Sequence, residues 1–453
     1  MNLDRFSLRP VDVLEDIDIF NAKSLGYISS KKEFLATILP LREHYKHLCG
    51  FPSTNYSNIF DAQVFVREYT SRNIDTIYRN PTDDLLRINN TLELIIHEYR
   101  QAIYVLIIND YLYLFCPICN INFENNWNLS KPSNYEAIKE SWGYRDVTDR
   151  NYISDINHWW KNQGILCNIQ SYGSLQYLSY RTMMIDSLRL LRNQNRGKIT
   201  IPWCEFFLNV RDRPILCKEF MGSYMPVLSP YVGQDILDIP IPLACDYEAS
   251  INEPMRWSDR WSVAVWRGSA TGAGITIETN PRLKIASLEY EHLDAKLTSW
   301  DCRDKLWNGV IQCIHSTDFS FIASKDFYLT TKQQCRYKYI IYIEGHCAAS
   351  RMASLLSMRS LILWVKTSNV IPDMIWYFPL LKENEHYISV ESDLSNLKEK
   401  IDWCIDHDAE CQRMAHNAQL FYDQHCVPTT LLHVLNESFI SICDKQFKRN
   451  SAV

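Results

Sequence analysis

The chain has 453 residues, of which 46% are hydrophobic and 22% charged, and its formal net charge at pH 7 is -6. This length suits about two or three domains, and the composition is that of globular proteins with buried cores. The slightly acidic balance excludes a general affinity for nucleic-acid backbones, which requires concentrated Lys and Arg. A local basic pocket for a phosphate group stays compatible with it.

The sequence shows no segment typical of export or membrane insertion. Residues 1–20 have no apolar core, because acidic side chains interrupt them at Asp4, Asp12, Glu15, Asp16 and Asp18. The longest apolar runs, 102–108 and 111–119, are far shorter than the ~20 residues that a membrane helix needs. The 15 cysteines are scattered, which indicates reduced, buried thiols. We therefore predict a cytoplasmic protein without a membrane span.

The first third of the chain is mixed in pattern and indicates no function. Residues 92–99 are compatible with a short helix or a strand. Two apolar runs, 102–108 and 111–115, flank Asn109-Asp110, which predicts a β-hairpin with a tight polar turn. We interpret residues 1–145 as an N-terminal extension of unknown role.

A regular alternation of helices and strands begins near residue 165. Residues 174–192 have apolar side chains at helical spacing, and residues 203–210 form a compact apolar strand. That strand ends at Arg211-Asp212-Arg213-Pro214. Because ligands of α/β folds bind beyond the carboxyl ends of parallel strands, this charged loop is a candidate site.

A second regular block begins at Trp261. Residues 262–266 predict a strand that stops at Arg267. Further along, a strand over 338–343, a helix over 350–358 and a strand over 360–365 predict one βαβ unit. Such a unit requires parallel strands joined by a right-handed crossover.

The C-terminal part of the sequence is helical in pattern. Three further helices are predicted over residues 397–405, 409–422 and 431–442. Asp393 or Ser395 is expected to cap the first helix and Asp408 the second. Pro428 is expected to end the second helix, since proline lacks the amide that a helix interior needs.

Residues 266–272 form the first candidate binding loop, with the sequence Trp-Arg-Gly-Ser-Ala-Thr-Gly. Small residues after a strand allow backbone amides to approach a phosphate closely, and Arg267 adds a forked cation. The alternative is an ordinary turn that ends a strand. The candidate binding residues here are Arg267, Gly268, Ser269 and Thr271.

Residues 344–351 form the second candidate loop, between the strand and the helix of the βαβ unit. Small residues there let a ligand reach the helix N-terminus, where free amides favour an anion. A cation in the first helical turn, Arg351, is explained if an anion binds beside it. The alternative is that small residues merely let the helix pack closely on the sheet. The candidate residues are Gly345, Ala349, Ser350 and Arg351.

Asp212 is the candidate general base, because a carboxylate at a strand end can accept a proton from a hydroxyl group. Its alternative role is an ion pair within the loop, with Arg211 or Arg213. No Asp-any-Asp triplet stands in a context typical of a metal–diphosphate site. We predict neither a metal nor another cofactor.

Four segments in order resemble glycosyltransferase family 90, which includes capsule-associated proteins and protein O-glucosyltransferases. They are Phe-Phe-Leu-Asn-Val-Arg-Asp-Arg-Pro at 206–214, Trp-Arg-Gly-Ser at 266–269 with Thr271 and Asn-Pro-Arg at 280–282, Tyr-Lys-Tyr at 337–339 through Gly345 to Ala-Ala-Ser-Arg at 348–351, and His-Tyr-Ile at 386–388 with 393–397. The resemblance covers about residues 150–445.

The resemblance implies an α/β protein of GT-B type, with two Rossmann-like lobes that face a cleft. On this interpretation residues 146–260 form the acceptor lobe, 261–425 the nucleotide-sugar lobe and 426–453 a C-terminal helix and tail. By matched position, Asp212 is the catalytic base. Arg267 and Arg351 hold the diphosphate, and the small residues of both loops shape the donor pocket.

The expected function is that of an inverting, metal-independent glycosyltransferase. It would move glucose or xylose from a UDP-sugar to a hydroxyl of a protein or glycan acceptor. Two alternatives stay open: a non-catalytic nucleotide- or glycan-binding module with the same fold, and an enzyme that uses a GDP-sugar.

Overall fold

The structure is a computed structural model. It describes residues 30–51, 61–79, 83–99, 101–119, 175–196, 198–209, 214–216, 224–233, 236–247, 255–272, 274–301, 305–307, 310–345, 348–366 and 374–450.

Helices and strands alternate along most of the described chain. The α-helices are α1 Lys31–Tyr45, α2 Asp61–Ile77, α3 Asp84–Glu93, α4 Leu175–Gln194, α5 Ala244–Tyr247, α6 Pro281–Ser287, α7 Thr331–Gln334, α8 Met352–Ser357, α9 Leu397–Asp406, α10 Asp408–His425 and α11 Pro428–Asn450. The strands are β1 Gln101–Ile108, β2 Tyr111–Cys119, β3 Trp203–Leu208, β4 Val227–Ser229, β5 Tyr231–Val232, β6 Ile239–Pro240, β7 Trp261–Ser269, β8 Leu293–Ser299, β9 Lys305–Trp307, β10 Val310–Gln312, β11 Tyr337–Tyr342, β12 Leu361–Val365, β13 Met374–Ile375 and β14 Tyr387–Val390.

The described residues form two compact units. Those of 30–119, 175–247 and 428–450 belong to the first unit, and those of 255–427 belong to the second. The predicted division into an acceptor lobe and a donor lobe stays a prediction, because these units are defined by packing and not by ligands.

The predicted hairpin of the first unit is confirmed. β1 and β2 pair antiparallel, with Ile108 opposite Tyr111. Asn109 and Asp110 have φ angles of 50° and 63°. Two successive residues in the left-handed region are what a type I′ turn requires, and Asn and Asp tolerate that region well. Residues 94–99, which the sequence left open, form a π-helix after α3.

The first unit is built on a mixed sheet in the order β2-β1-β3-β4-β6. β1 runs antiparallel to β2 and β3, whereas β3, β4 and β6 run parallel. The hairpin that we placed in the N-terminal extension therefore belongs to the same sheet as the predicted strand of residues 203–210. Glu205 of β3 forms a buried ion pair with Arg42, with 2.5 Å between Oε1 and Nη2. Burial raises the pKa of Glu205, but Arg42 outweighs it and holds the pKa below its usual value.

Helix α11 completes the first unit, and its start corrects one expectation. Pro428 begins α11 instead of ending the preceding helix, which stops at His425. A proline is tolerated in the first helical turn because its missing amide would have no partner there. The buried Glu437 of α11 pairs with Arg67 at 2.6 Å, and Phe439 stacks on Phe206 of β3.

The second unit contains a five-stranded sheet in which all strands are parallel, in the order β8-β7-β11-β12-β14. The predicted βαβ unit is confirmed as β11-α8-β12. In chain order the strands are arranged 2-1-3-4-5, a doubly wound pattern whose strand order reverses between the first and third strands. That reversal lies between β7 and β11. The fold class is thus α/β, as expected.

Two predicted helix caps are wrong. The residue before α9 is Asn396, whose side chain makes no capping hydrogen bond, while Asp393 accepts a hydrogen bond from the Ser395 amide. Asp408 lies inside the first turn of α10 and accepts a hydrogen bond from Lys338 Nζ at 2.7 Å. The Asp408 carboxylate is held by a partner far away in the chain, and the Asp393 carboxylate by the nearby Ser395 amide, which lies before the helix. Local spacing alone therefore misassigned both caps.

Two buried carboxyl groups predict that the first unit loses stability as the pH rises. Burial raises the pKa of Asp238 to about 7 and that of Asp246 to about 8. Between the unfolded pKa and these values, the folded state holds a proton that the unfolded state has lost. The free energy of unfolding therefore falls by about 1.4 kcal/mol per pH unit for each group.

We expect the free energy of unfolding of Asp246→Asn to fall less steeply with pH than that of the wild type, by about 1.4 kcal/mol per pH unit. The measurement is urea unfolding at several pH values between 5 and 8. Asp444→Asn, at an exposed position of α11, serves as the control and should leave the slope as in the wild type. An Asp246→Asn variant with the full wild-type slope would contradict the assignment.

Candidate functional site

β7 continues to Ser269 and does not stop at Arg267 as predicted, so Arg267, Gly268 and Ser269 lie in the strand and the loop begins at residue 270. This loop meets the loop after β11 at the carboxyl ends of the two strands. A Cβ atom built on Gly345 would lie 2.7 Å from Thr271 Oγ1, so the loop after β11 touches the loop after β7. This point is the reversal of strand order in the sheet, where no helix covers both strands and ligands of doubly wound folds bind. The structure therefore brings Thr271 and Gly345 together, and a larger residue at position 345 would require the Thr271 side chain to move.

Arg282 of α6 connects the two loops. Its Nη1 donates to Ser269 O at 3.1 Å and to Thr271 Oγ1 at 2.6 Å, on the β7 side. On the β11 side, Nε donates to Glu344 O and Nη2 to Ile343 O, each at 2.8 Å. In the sequence, Arg282 stands in a motif that resembles the family, but no pattern around it predicted a role.

Asn280 orders the loop after β7 and starts α6. Its Oδ1 accepts hydrogen bonds from the amides of Arg282 and Leu283, while its Nδ2 donates to Thr271 O and Gly274 O. The spacing of Asn280 and Pro281 is typical of a helix N-cap followed by proline at the first helical position. That local pattern could have revealed the helix, though not the contacts of Arg282.

Arg267 is engaged by the protein itself. Its Nη2 pairs with Asp294 Oδ2 at 2.6 Å, its Nε donates to Phe327 O at 2.8 Å, and its Nη1 donates to Trp266 O and Asp294 O. Burial raises the pKa of Asp294, but hydrogen bonds from Arg267 and Tyr337 outweigh it and hold that pKa below its usual value. A phosphate contact by Arg267 would require some of these bonds to be exchanged, so its predicted role stays a prediction.

Arg351 lies between β7 and β11, and its guanidinium is incompletely paired. Its Nη1 donates to Arg267 O at 2.7 Å and its Nη2 to Ile341 O at 3.3 Å. Its Nε is enclosed and has no hydrogen-bond partner among the described residues, and no carboxylate there pairs with it. Burial lowers the pKa of Arg351. An enclosed cation without a counter-charge is costly, and a bound anion would offset that cost.

The remaining predicted binding residues lie around these loops. Ser269 Oγ accepts a hydrogen bond from Ser299 Oγ at 2.7 Å, and Gly268 packs against the Trp266 ring. The Ala349 amide donates to Tyr342 Oη at 2.8 Å, and Ser350 is exposed. Helix α8 begins at Met352, so Arg351 occupies the N-cap position and not the first turn.

Asp212 lies outside the described residues, but both flanks of its segment are anchored by one buried carboxylate. Asp238 accepts hydrogen bonds from the amides of Ile215 and Leu216 at 2.9 and 2.5 Å, and from Ser229 Oγ. Ser229 Oγ in turn accepts a hydrogen bond from Asn209 Nδ2 at 2.9 Å. Hydrogen bonds thus hold the chain at Asn209, immediately before residues 210–213, and at Ile215 and Leu216, shortly after them.

Within the described ranges, no group of three or more His, Cys, Asp and Glu side chains is arranged to hold a metal ion. No single helix there has both the length and the apolar character of a membrane span. Helix α10 and residues Pro428–Gln446 reach that length and apolar character only together, as two helices bent at the break between them.

Comparison with known proteins identifies relatives over most of the chain. The family model described as glycosyl transferase family 90 matches residues 171–431, more than half of the chain. An uncharacterised protein, 035R of Invertebrate iridescent virus 3, is 28% identical in an alignment of 440 positions that covers 83% of this chain. Protein O-glucosyltransferase 2 of Danio rerio is 27% identical over 70% of this chain and 64% of its own length. The human protein O-glucosyltransferase 1 is 25% identical over half of this chain and 58% of its own.

The viral relatives are considerably longer than the matched region. This chain spans 38% of the 035R protein and 37% of protein 179R of Invertebrate iridescent virus 6. The match to the family model includes both candidate loops and the segment that carries Asp212.

Proposed function

Because the chain belongs to glycosyltransferase family 90, we propose that this glycosyltransferase moves a sugar from a UDP-sugar to a hydroxyl group of a protein or glycan acceptor. The observation that carries the proposal is the incompletely paired Arg351, whose enclosed Nε lies between β7 and β11, the two strands that lead into the candidate loops. An anion such as a diphosphate supplies the counter-charge that this place lacks.

The proposed reaction is an inverting, in-line displacement at the anomeric carbon of the donor sugar. The acceptor oxygen forms a bond to that carbon while the bond from the carbon to the diphosphate oxygen breaks. A base must take the acceptor proton, and positive charge must stabilise the departing diphosphate. We assign the first task to Asp212 and the second to Arg351, with Arg267 contributing if it exchanges its present partners.

The GT-B arrangement is part of this proposal, with Asp212 in the acceptor lobe and the two loops in the donor lobe. Guanidinium groups and loop amides would take the place of a divalent cation, so we expect no metal requirement. Glucose is the first candidate sugar, because several relatives are named protein O-glucosyltransferases, and xylose is the second. A cytoplasmic location stays a prediction from the sequence.

Donor binding gives the direct test. We expect UDP-glucose or UDP-xylose, in the presence of EDTA, to raise the Tm by about 5 °C or more at 100 times Kd, because a ligand of the native state stabilises it by mass action. The measurement is thermal unfolding with a panel of nucleotide sugars, followed by detection of released UDP. UMP, which lacks the second phosphate, is the matched control ligand and should protect less.

The alternatives give different results in the same experiment. A non-catalytic nucleotide- or glycan-binding module would be protected by UDP but would release no UDP from any donor and acceptor combination. Stronger protection by GDP-sugars than by UDP-sugars would replace the donor in the proposal. Failure of every nucleotide sugar to protect the chain would remove the donor-site assignment.

A further inference from the structure

The loops that form the candidate donor site are held together by a side chain and not by strand pairing. Residues 270–272 follow β7, and residues 343–345 follow β11, beyond the last paired residues of either strand. Pairing between β7 and β11 ends at Val265 and Ile340, so the backbone hydrogen bonds between these two strands end before the site begins. Some other interaction must fix the distance between the two loops.

Arg282 provides that interaction. Among the described residues, its guanidinium donates two hydrogen bonds to the β7 side and two to the β11 side, at 2.6 to 3.1 Å. Three of the acceptors are backbone carbonyl groups, which fix the path of the chain and not merely the position of a side chain. A planar fork with donors on two sides suits such bridging, whereas a lysine ammonium would reach fewer acceptors.

The position of Arg282 is itself fixed. Asn280 caps α6 through the Arg282 amide and simultaneously holds Thr271 O and Gly274 O. The contact at Gly345 is so close that a Cβ atom there would lie 3.3 Å from Arg282 Nη2. The loops, the helix start and the guanidinium thus form one packed assembly.

We propose that Arg282 is a positioning residue that clamps the loops after β7 and β11 into one preformed cradle for the donor diphosphate. This role rests on the proposed function. We expect loss of Arg282 to raise the Kd for the nucleotide diphosphate, because a displaced loop loses the aligned amides that a diphosphate needs. This increase in Kd should exceed that caused by an equally destabilising change elsewhere in the unit.

Arg260 provides a matched control at the opposite end of the same sheet, where its strands begin. It is also buried, and its guanidinium also donates to carbonyl oxygens, those of Met255, Met358 and Arg359, and to Ser360 Oγ. Residues 359 and 360 precede β12, so Arg260 braces the amino end of the sheet, away from the candidate site.

The test compares Arg282→Gln with Arg260→Gln by calorimetric titration with UDP, well below the Tm of each variant. Both changes remove a buried bridging guanidinium and should lower the Tm. We expect Arg282→Gln to raise the Kd for UDP about tenfold or more, a loss of about 1.4 kcal/mol, and Arg260→Gln to leave Kd within about twofold. Arg282→Lys should recover part of the affinity.

Gly345→Ala tests the same cradle if Arg282→Gln does not fold. The added methyl group would lie 2.7 Å from Thr271 Oγ1 and should separate the loops while all the hydrogen-bonding groups of Arg282 remain. Its Kd for UDP should rise in the same way. Wild-type affinity in Gly345→Ala and in any folded Arg282 variant would overturn the positioning role, whereas absence of UDP binding by the wild-type chain would overturn the proposed function itself.

Discussion

Replacing Asp212 by asparagine is expected to lower kcat by about 10²- to 10⁴-fold, the contribution that general acid–base catalysis commonly makes. Asparagine preserves the size of the side chain but cannot accept the proton of the acceptor hydroxyl. The Kd for UDP should stay within about twofold of the wild type, because the base acts on the acceptor and not on the nucleotide. The measurement is UDP release from the best donor of the panel, with and without acceptor, together with UDP titration.

The pH profile distinguishes this role from the alternative ion pair with Arg211 or Arg213. If Asp212 is the base, the rise of kcat/KM with pH that reflects its ionisation disappears in Asp212→Asn. If it is only a loop ion pair, the variant keeps kcat and shows a small loss of stability. Asp75→Asn, at an exposed ion pair with Lys445, controls for the loss of one surface carboxylate. An unchanged kcat in Asp212→Asn removes the residue from the catalytic role.

Replacing Arg351 by methionine is expected to weaken donor turnover by about 10²- to 10³-fold, which corresponds to the loss of one group that stabilises a developing anion. The same change should cost the unliganded protein little stability. The enclosed guanidinium has no carboxylate partner among the described residues, and burial lowers the pKa of Arg351. Removing an uncompensated buried charge relieves its desolvation cost, which offsets the loss of two hydrogen bonds to carbonyl oxygens.

The two effects of Arg351→Met are measured by kinetics with saturating donor and by urea unfolding without ligand. The informative contrast is with Arg260→Met. Arg260 also lacks a carboxylate partner among the described residues, but every nitrogen of its guanidinium donates to a carbonyl oxygen, so its loss should destabilise the unliganded protein more. A strongly destabilised Arg351→Met that binds and turns over the donor normally would show that Arg351 only braces the sheet.

The sequence predicted the secondary structure well where one local pattern decided it. The alternation of apolar residues and the Asn109-Asp110 turn specified the β1–β2 hairpin, because that backbone geometry depends on the turn residues themselves. The strand, helix and strand of the βαβ unit followed from their periodicity in the same way. The resemblance to glycosyltransferase family 90, and not a local pattern, assigned Thr271 and Gly345 to one site.

Sequence patterns could not predict the hydrogen-bond and ion-pair partners of charged side chains. Nothing local distinguishes Arg267, whose donors are bonded to Asp294 and Phe327, from Arg351, whose Nε is enclosed without a described partner. Asp408 resembles a helix cap yet accepts a hydrogen bond from Lys338, 70 residues away along the chain. These outcomes depend on which segments the fold brings within a few ångströms.

Local sequence patterns were thus sufficient for the order of most helices and strands and for the α/β class, because backbone conformation responds to neighbouring residues. Only the tertiary structure decided that Arg282 bridges these loops and that Arg351 is left with an unmet charge. Hydrogen bonding and desolvation depend on distances between residues far apart in the chain, and those distances exist only after the sheet has formed.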